Sequence, residues 1–125
     1  MDSVTEILCI DDDPVTLALL EAKLGMVKGI RILTATDGVS GIKIATKRKP
    51  DIILIDWEMP KMSGLDVASE LRSNPKTTWI PRFMLTGRSK MKDMERAAEH
   101  GIEGYFSKPI NLDFILRRLN KFISK

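Results

Sequence analysis

Short apolar runs that alternate with helical stripes constrain this chain more than any other feature of its sequence. Residues 7–10 (ILCI), 52–55 (IILI) and 83–85 (FML) are continuous apolar runs, typical of parallel strands buried on both faces. The alternating run at 30–35 (IRILTA) predicts a strand nearer an edge, and 104–106 (GYF) predicts a short fifth strand. Five strands, each followed by a helical pattern, predict an α/β fold with helices on both faces of one parallel sheet.

Each predicted helix carries an apolar stripe, and four of them also have a clear N-cap. Asp13, Asp37, Ser63 and Asn111 are the expected caps of the first, second, third and fifth helices, and 63–66 (SGLD) has the form of a capping box. The expected inward positions are Leu17, Leu20, Leu24; Val39, Ile42, Ala45; Leu65, Ala68, Leu71; Met91, Met94, Ala97, Ala98; and Leu112, Ile115, Leu116, Leu119, Phe122, Ile123.

Composition excludes several classes of protein and site. The 125 residues are enough for one compact domain, expected to span 1–125, and the net charge of +3 is too small to imply direct nucleic-acid binding. A single cysteine (Cys9) and a single histidine (His100) cannot build a zinc or iron–sulfur site. No apolar run is long enough to span a membrane, and the N-terminus lacks a signal-peptide core, so we expect a cytoplasmic protein.

Polar residues follow four of the five predicted strands. Asp11 and Asp12 follow the first strand, Asp56 ends the third, Thr86 ends the fourth, and Lys108 lies just beyond the fifth. Because parallel strands all end at one edge of a sheet, we expect these side chains to share one pocket, where ligands of such folds bind.

The charges expected in that pocket indicate its chemistry. Three carboxylates at close range repel one another, and Lys108 can neutralise only one of them. Oxygen ligands without histidine or cysteine favour Mg²⁺, or Mn²⁺, over zinc. Asp56 could act as a nucleophile that forms an acyl phosphate, with Lys108 and the Thr86 hydroxyl contacting the phosphoryl oxygens.

Four motifs, in order and at the expected spacing, resemble the receiver domain of bacterial two-component response regulators. They are residues 10–14 (IDDDP), 56–64 (DWEMPKMSG), 84–87 (MLTG) and 108–109 (KP). The resemblance covers nearly the whole chain. It implies a flavodoxin-like five-stranded parallel sheet of order 2-1-3-4-5, as in the chemotaxis receiver.

The resemblance also assigns roles around the phosphorylation site. Asp56 matches the phosphorylated aspartate, Asp12 the direct metal ligand, and Asp11 its partner that acts largely through water. The backbone carbonyl of Glu58 matches the third protein ligand of the Mg²⁺ ion, with Asp56 as a further one.

The remaining matches concern the switch. Lys108 matches the lysine that binds the phosphoryl group, and the bond before Pro109 is expected to be cis. Thr86 matches the hydroxyl that moves onto the phosphoryl group, and Tyr105 matches the aromatic residue that follows it inward.

As a function, the resemblance implies a phosphoacceptor switch in phosphorelay signal transduction rather than an enzyme acting on an outside substrate. A sensor histidine kinase or a histidine phosphotransfer protein supplies the phosphoryl group, and the domain promotes its own phosphorylation and slow dephosphorylation. The face made by the fourth helix, fifth strand and fifth helix then binds a downstream protein or a second copy. Both a stand-alone receiver and the receiver part of a longer regulator fit the sequence.

Two other classes stay open at this stage. A phosphatase of the haloacid dehalogenase type also uses a strand-end aspartate, and it would need Asp13 as a general acid and a cap domain. A pseudo-receiver would be a pure interaction module that never labels Asp56.

Three smaller expectations concern other side chains. Trp57 is expected to be partly exposed, the basic run 47–49 to be a solvated helix end, and Glu58 and Arg88 to form an ion pair across the mouth of the pocket.

Overall fold

Five parallel strands form a single sheet in the computed structural model, which describes residues 4–87, 95 and 99–123. The strands are β1 (Thr5–Ile10), β2 (Ile30–Ala35), β3 (Ile52–Asp56), β4 (Arg82–Thr86) and β5 (Gly104–Ser107). Their order is β2-β1-β3-β4-β5, and every neighbouring pair is parallel. The predicted fold class and strand order are confirmed.

Four helices pack around this sheet in the described ranges. They are α1 (Pro14–Leu24), α2 (Gly38–Arg48), α3 (Gly64–Ser73) and a C-terminal helix (Leu112–Leu119) that continues into a 3₁₀ turn (Asn120–Phe122). All four predicted caps accept a backbone N–H from the first helical turn, and the Ser63 capping box with Asp66 is complete. The stripe predicted for the remaining helix, Met91, Met94, Ala97 and Ala98, lies outside the described residues.

The sheet divides the apolar interior into two layers. One layer packs β-strand side chains against α2 and α3, and the other packs them against α1 and the C-terminal helix. Because β1 and β3 are covered on both sides, residues 7–10 and 52–55 are fully buried, which explains their continuous apolar runs.

The inward stripe predicted for α2 is wrong at one position. Val39 is 57% exposed, and the helix buries Gly38, Gly41 and Ala45 instead. A Cβ atom on Gly41 would lie 2.4 Å from a methyl carbon of Ile10. The close approach of α2 to β1 therefore requires small residues on the buried face, and it turns Val39 outward.

A buried arginine stands at the opposite end of the sheet from the predicted pocket. The Arg82 side chain donates to the carbonyl oxygens of Thr77, Thr78 and Ile80 on one side and to that of Gly101 on the other, at 3.0–3.3 Å. It thereby connects the loop before β4 to the loop before β5.

Among the described helices, none combines the length and the apolar composition that a membrane span needs.

We expect Arg82→Met to lower the free energy of unfolding by about 2–4 kcal/mol, because several buried carbonyl groups would lose their donor. Urea unfolding measures the change. Arg31→Met is the matched control, since Arg31 is exposed and makes a surface ion pair with Glu6, and it should cost less than about 1 kcal/mol. Equal losses in the two variants would contradict this role for Arg82.

Candidate functional site

Three carboxylates converge at the carboxyl end of the sheet. One oxygen from each of Asp11, Asp12 and Asp56 can be chosen so that all three lie within 4.8 Å of one another. Asp11 follows β1 and is fully buried, Asp56 ends β3 and is 6% exposed, and Asp12 is exposed to solvent. Asp11 and Asp56 lie close together because β1 and β3 are adjacent and parallel and both end at this edge of the sheet.

Lys108 lies between the two buried carboxylates. Its Nζ atom is 3.0 Å from Asp11 Oδ2 and 3.2 Å from Asp56 Oδ1. Burial by itself would favour the neutral amine, but the hydrogen bond and charge of Asp11, followed by those of Asp56, outweigh it and raise the pKa of Lys108. The ammonium group is therefore held charged, and it contacts two carboxylates where sequence reasoning assigned it one.

Two backbone contacts fix where these groups stand. The backbone N–H of Lys108 donates to the carbonyl of Thr86 at 2.8 Å, which joins the residue after β5 to the end of β4. The backbone N–H of Asp13 donates to Asp11 Oδ1 at 2.9 Å, so one oxygen of Asp11 faces the chain and the other faces Lys108.

The Asp56 carboxyl group is a weaker acid than an ordinary aspartate. Burial is the largest cause, and the negative charge of Asp11 adds to it, so that the pKa of Asp56 is raised to about 7 even though the charge and hydrogen bond of Lys108 act in the opposite direction. In the metal-free protein, the carboxylate that ends β3 is thus held at a free-energy cost.

Gly64 permits the close approach of α3 to the end of β3. A Cβ atom at this position would lie 2.3 Å from the backbone oxygen of Asp56 and 2.9 Å from Trp57 Cα. The Gly64 N–H also donates to the Trp57 carbonyl at 2.8 Å. The sequence placed Gly64 after a helix cap and at the end of the motif 56–64, but it did not predict this close contact, because spacing gives the direction of a helix and not its distance from the sheet.

The other predicted site residues lie around this centre. Thr86 is buried at the end of β4, Tyr105 is half-buried in β5 against the layer that contains α3, and the Glu58 side chain is exposed on the loop after β3. The Lys108–Pro109 bond is cis, as expected. The partner proposed for Glu58, Arg88, lies outside the described residues.

The expectation of a partly exposed Trp57 is wrong. The residue is 4% exposed and belongs to the layer between the sheet, α2 and α3. The side chains alternate across the sheet, so Asp56 and Trp57 point to opposite faces, and the face taken by Trp57 is covered by α3.

Asp13 is committed to the helix that it begins. Its two side-chain oxygens accept from the backbone N–H of Val15 and the hydroxyl of Thr16. These bonds lower the pKa of Asp13, the first being the largest cause. A carboxyl group held ionised in this way is poorly suited to the general-acid role that a phosphatase of the haloacid dehalogenase type would need.

The donor set fits a divalent cation. Three carboxylates and one ammonium group leave a formal charge of −2 when all are ionised (−3 + 1). One divalent cation would balance that charge, and carboxylate oxygens are the ligands that hard cations prefer.

Comparison with known proteins decides the family. The response regulator receiver domain matches residues 7–120 of this chain. The chain belongs to this family.

Individual relatives agree with the family. The DNA-binding dual master transcriptional regulator RpaA of Synechocystis sp. is 33% identical over 119 residues, which are 95% of this chain and 49% of the relative. The chain spans about half the length of the first curated relatives it matches.

Two solved structures have closely similar folds. Chemotaxis protein CheY4 of Vibrio cholerae superposes with a TM-score of 0.90 at 25% identity, over 97% of this chain and all of that one. The receiver domain of a sensor histidine kinase from Pseudomonas aeruginosa has a TM-score of 0.86 at 28% identity, over 98% and 100%, and its structure has a magnesium ion coordinated in the active site cleft.

The raised pKa of Asp56 predicts a pH-dependent stability. Between about pH 4 and pH 7 the folded protein keeps a proton on Asp56 that the unfolded chain has released, so this group makes the folded state less stable as pH rises through that window. In chelator, Asp56→Asn should therefore raise the free energy of unfolding at pH 8 by about 1–3 kcal/mol, and by less at pH 5.

Urea unfolding at the two pH values measures the difference between wild type and variant. Asp113→Asn, which alters an exposed carboxylate in the first turn of the C-terminal helix, is the control and should give the same small difference at both. A stabilisation by Asp56→Asn that does not grow with pH would contradict the raised pKa.

Proposed function

We propose that this receiver domain takes a phosphoryl group onto Asp56 from the phosphohistidine of a sensor histidine kinase or histidine phosphotransfer protein, and that the change of charge switches a binding face. The main support for this proposal is that the buried Asp56 carboxylate lies beside Asp11 and Lys108 at the carboxyl end of the sheet.

In the transfer, an Asp56 oxygen attacks phosphorus, the O–P bond forms and the P–N bond of phosphohistidine breaks, leaving the imidazole on the partner. Asp56 serves as the nucleophile because its carboxylate ends the strand at the centre of the sheet. Lys108 and Thr86 are proposed to receive the phosphoryl oxygens, since Thr86 ends β4 and Lys108 directly follows β5. Positioning and charge stabilisation supply most of the catalysis in such transfers.

Mg²⁺, or Mn²⁺ in its place, is the proposed cofactor, with Asp12 and Asp56 as direct ligands, Asp11 acting largely through water, and the Glu58 backbone carbonyl as a further ligand. When bound, the ion offsets negative charge on the carboxylates and on the incoming phosphoryl group. The clustered carboxylates support this ligand set.

The proposed switch runs from the phosphoryl group toward β5. Thr86 moves onto the phosphoryl group and Tyr105 follows inward, which changes the face around β5 and the C-terminal helix for a downstream protein or a second copy. Thr86 is buried beside its register partner Ser107, and Tyr105 pairs with Met84, so the two switch residues stand on adjacent strands.

On this proposal the domain is a switch that promotes its own phosphorylation and slow dephosphorylation. The cytoplasmic location expected from the sequence is part of the same proposal.

Phosphorylation by a small donor tests the acceptor. With acetyl phosphate and Mg²⁺, we expect the intact mass of the protein to increase by one phosphoryl group, and we expect no increase for Asp56→Asn. Asp51→Asn is the matched control, because Asp51 lies just before the same strand and binds the Glu6 backbone N–H at the far end. Equal labelling of Asp56→Asn and wild type would overturn the assignment.

Metal binding can be followed through Trp57, which is buried directly after Asp56 in the chain. In a Trp79→Phe background, which removes the second tryptophan, Mg²⁺ should change the fluorescence. Asp12→Asn should weaken the midpoint by about tenfold or more, because a ligand is lost.

Asp13→Asn is the control for that titration. It removes one charge from the same acidic run while asparagine can still cap α1, so its midpoint should shift by less than about threefold. Equal shifts in the two variants would mean that Asp12 contributes only charge.

Coupling between site and switch can be tested with a phosphoryl mimic. Lys108→Ala should still bind Mg²⁺ but lose the chemical-shift changes that beryllofluoride causes around Tyr105 in wild type, because the link from the site to β5 is removed. Lys76→Ala, on the exposed loop after α3, should respond as wild type does. A full wild-type response in Lys108→Ala would refute the coupling.

A further inference from the structure

The outer edge of β2 is a surface that the proposed switch does not use. β2 ends the sheet, and its only neighbour among the described strands is β1. Thr5 N–H donates to the Gly29 carbonyl and Asp11 N–H to the Ala35 carbonyl, so the odd-numbered residues of this strand face β1. The backbone N–H and C=O groups of Ile32 and Thr34 therefore face the open edge.

Side chains from both helices that flank this edge form a groove along it. The groove is lined by Ile32, Leu33 and Thr34 of the strand, by Glu21 of α1, and by Lys43, Ile44, Lys47 and Arg48 of α2. The strand residues and Ile44 are half-buried, which gives the groove a partly apolar floor.

Charge is divided unequally between the two walls of the groove. Lys43, Lys47 and Arg48 are exposed on the α2 wall, whereas the α1 wall contributes the single acid Glu21. Arg48 is paired with Glu6 at 2.6 Å, so the positive charge that this wall offers to a ligand comes from Lys43 and Lys47. Lysines placed on an edge strand usually prevent pairing, but these residues stand on the helix above the edge and leave its hydrogen-bonding groups open. Arg31, the one basic residue on the strand itself, is engaged with Glu6.

We infer that the edge of β2 binds an extended acidic segment of a partner protein, which adds a sixth strand to the sheet. Its backbone would pair with Ile32 and Thr34, as in other complexes formed by strand addition. Successive side chains of a strand point to opposite faces. The acidic side chains of the segment would therefore face Lys43 and Lys47, and the apolar ones would face Ile32 on the side of α1.

This division of charge determines the probe. We would use a peptide of the same length as β2 in which glutamate and valine alternate, and measure its binding to the full chain by fluorescence anisotropy. Backbone amide chemical shifts locate the site. We expect the shifts to concentrate at residues 32–34 and the affinity to fall at high salt, because exposed charges are screened.

Two matched peptides separate the contributions of backbone and charge. N-methylation of the amides that would face the edge removes the donors and should weaken binding by about tenfold or more. Replacing glutamate by lysine should abolish binding through repulsion from the α2 wall. Equal affinity of the N-methylated peptide would overturn strand addition.

Protein variants test the basic wall. Lys47→Glu should weaken binding by about tenfold, and Lys76→Glu, the same change of charge on the loop after α3, by less than about twofold. Equal losses would show a general effect of net charge and overturn the proposal. Concentration-dependent self-association through residues 32–34 without peptide would also overturn it, since a second copy would be the occupant. The titrations contain neither metal nor phosphodonor, so their result is independent of the function proposed for Asp56.

Discussion

The contact of Lys108 with two buried carboxylates is the interaction on which the functional end of this molecule depends. Asp11 directly follows β1 and Asp56 ends the adjacent strand β3, so without a cation between them their negative charges would repel each other at this edge of the sheet. One ammonium group satisfies both, yet the three-acid cluster keeps an excess of negative charge and the pKa of Asp56 stays high. The metal-free site is therefore poised to gain stability from any divalent cation or proton that it binds.

Topology explains why the residues of the site could be predicted. A parallel strand delivers the residue after it to the same edge as its neighbours, so Asp11, Asp56 and Lys108 needed only correctly placed strands to meet. The continuous apolar runs placed those strands, because a strand covered on both faces has no polar alternation. The cap residues then fixed where each helix starts, independently of the tertiary structure.

The errors have a different origin, which is the distance between layers. Val39 and Trp57 were misplaced because helical and strand periods give directions, whereas exposure depends on how closely a helix lies against the sheet. Gly41 and Gly64 determine that closeness, with a methyl carbon of Ile10 and the backbone oxygen of Asp56 where their Cβ atoms would stand. The buried Arg82 escaped notice for a related reason: a charged residue that begins an apolar run looks like a strand boundary, and only the two loops that fold over it show its carbonyl partners.

Strand order also separates the two surfaces that we propose for this domain. The backbone hydrogen bond from the Lys108 N–H to the Thr86 carbonyl joins the site to β4 and β5, on one side of β3. β2 lies on the other side, and β1, whose residues 7–10 are fully buried between two layers, stands between it and Asp56. Rigid packing of such a strand resists the small displacements that a new charge can cause. We therefore expect a segment bound along β2 to contact the same surface before and after phosphorylation. Its affinity for this edge would then be independent of phosphorylation, whereas binding at the face around β5 would depend on whether Asp56 is phosphorylated.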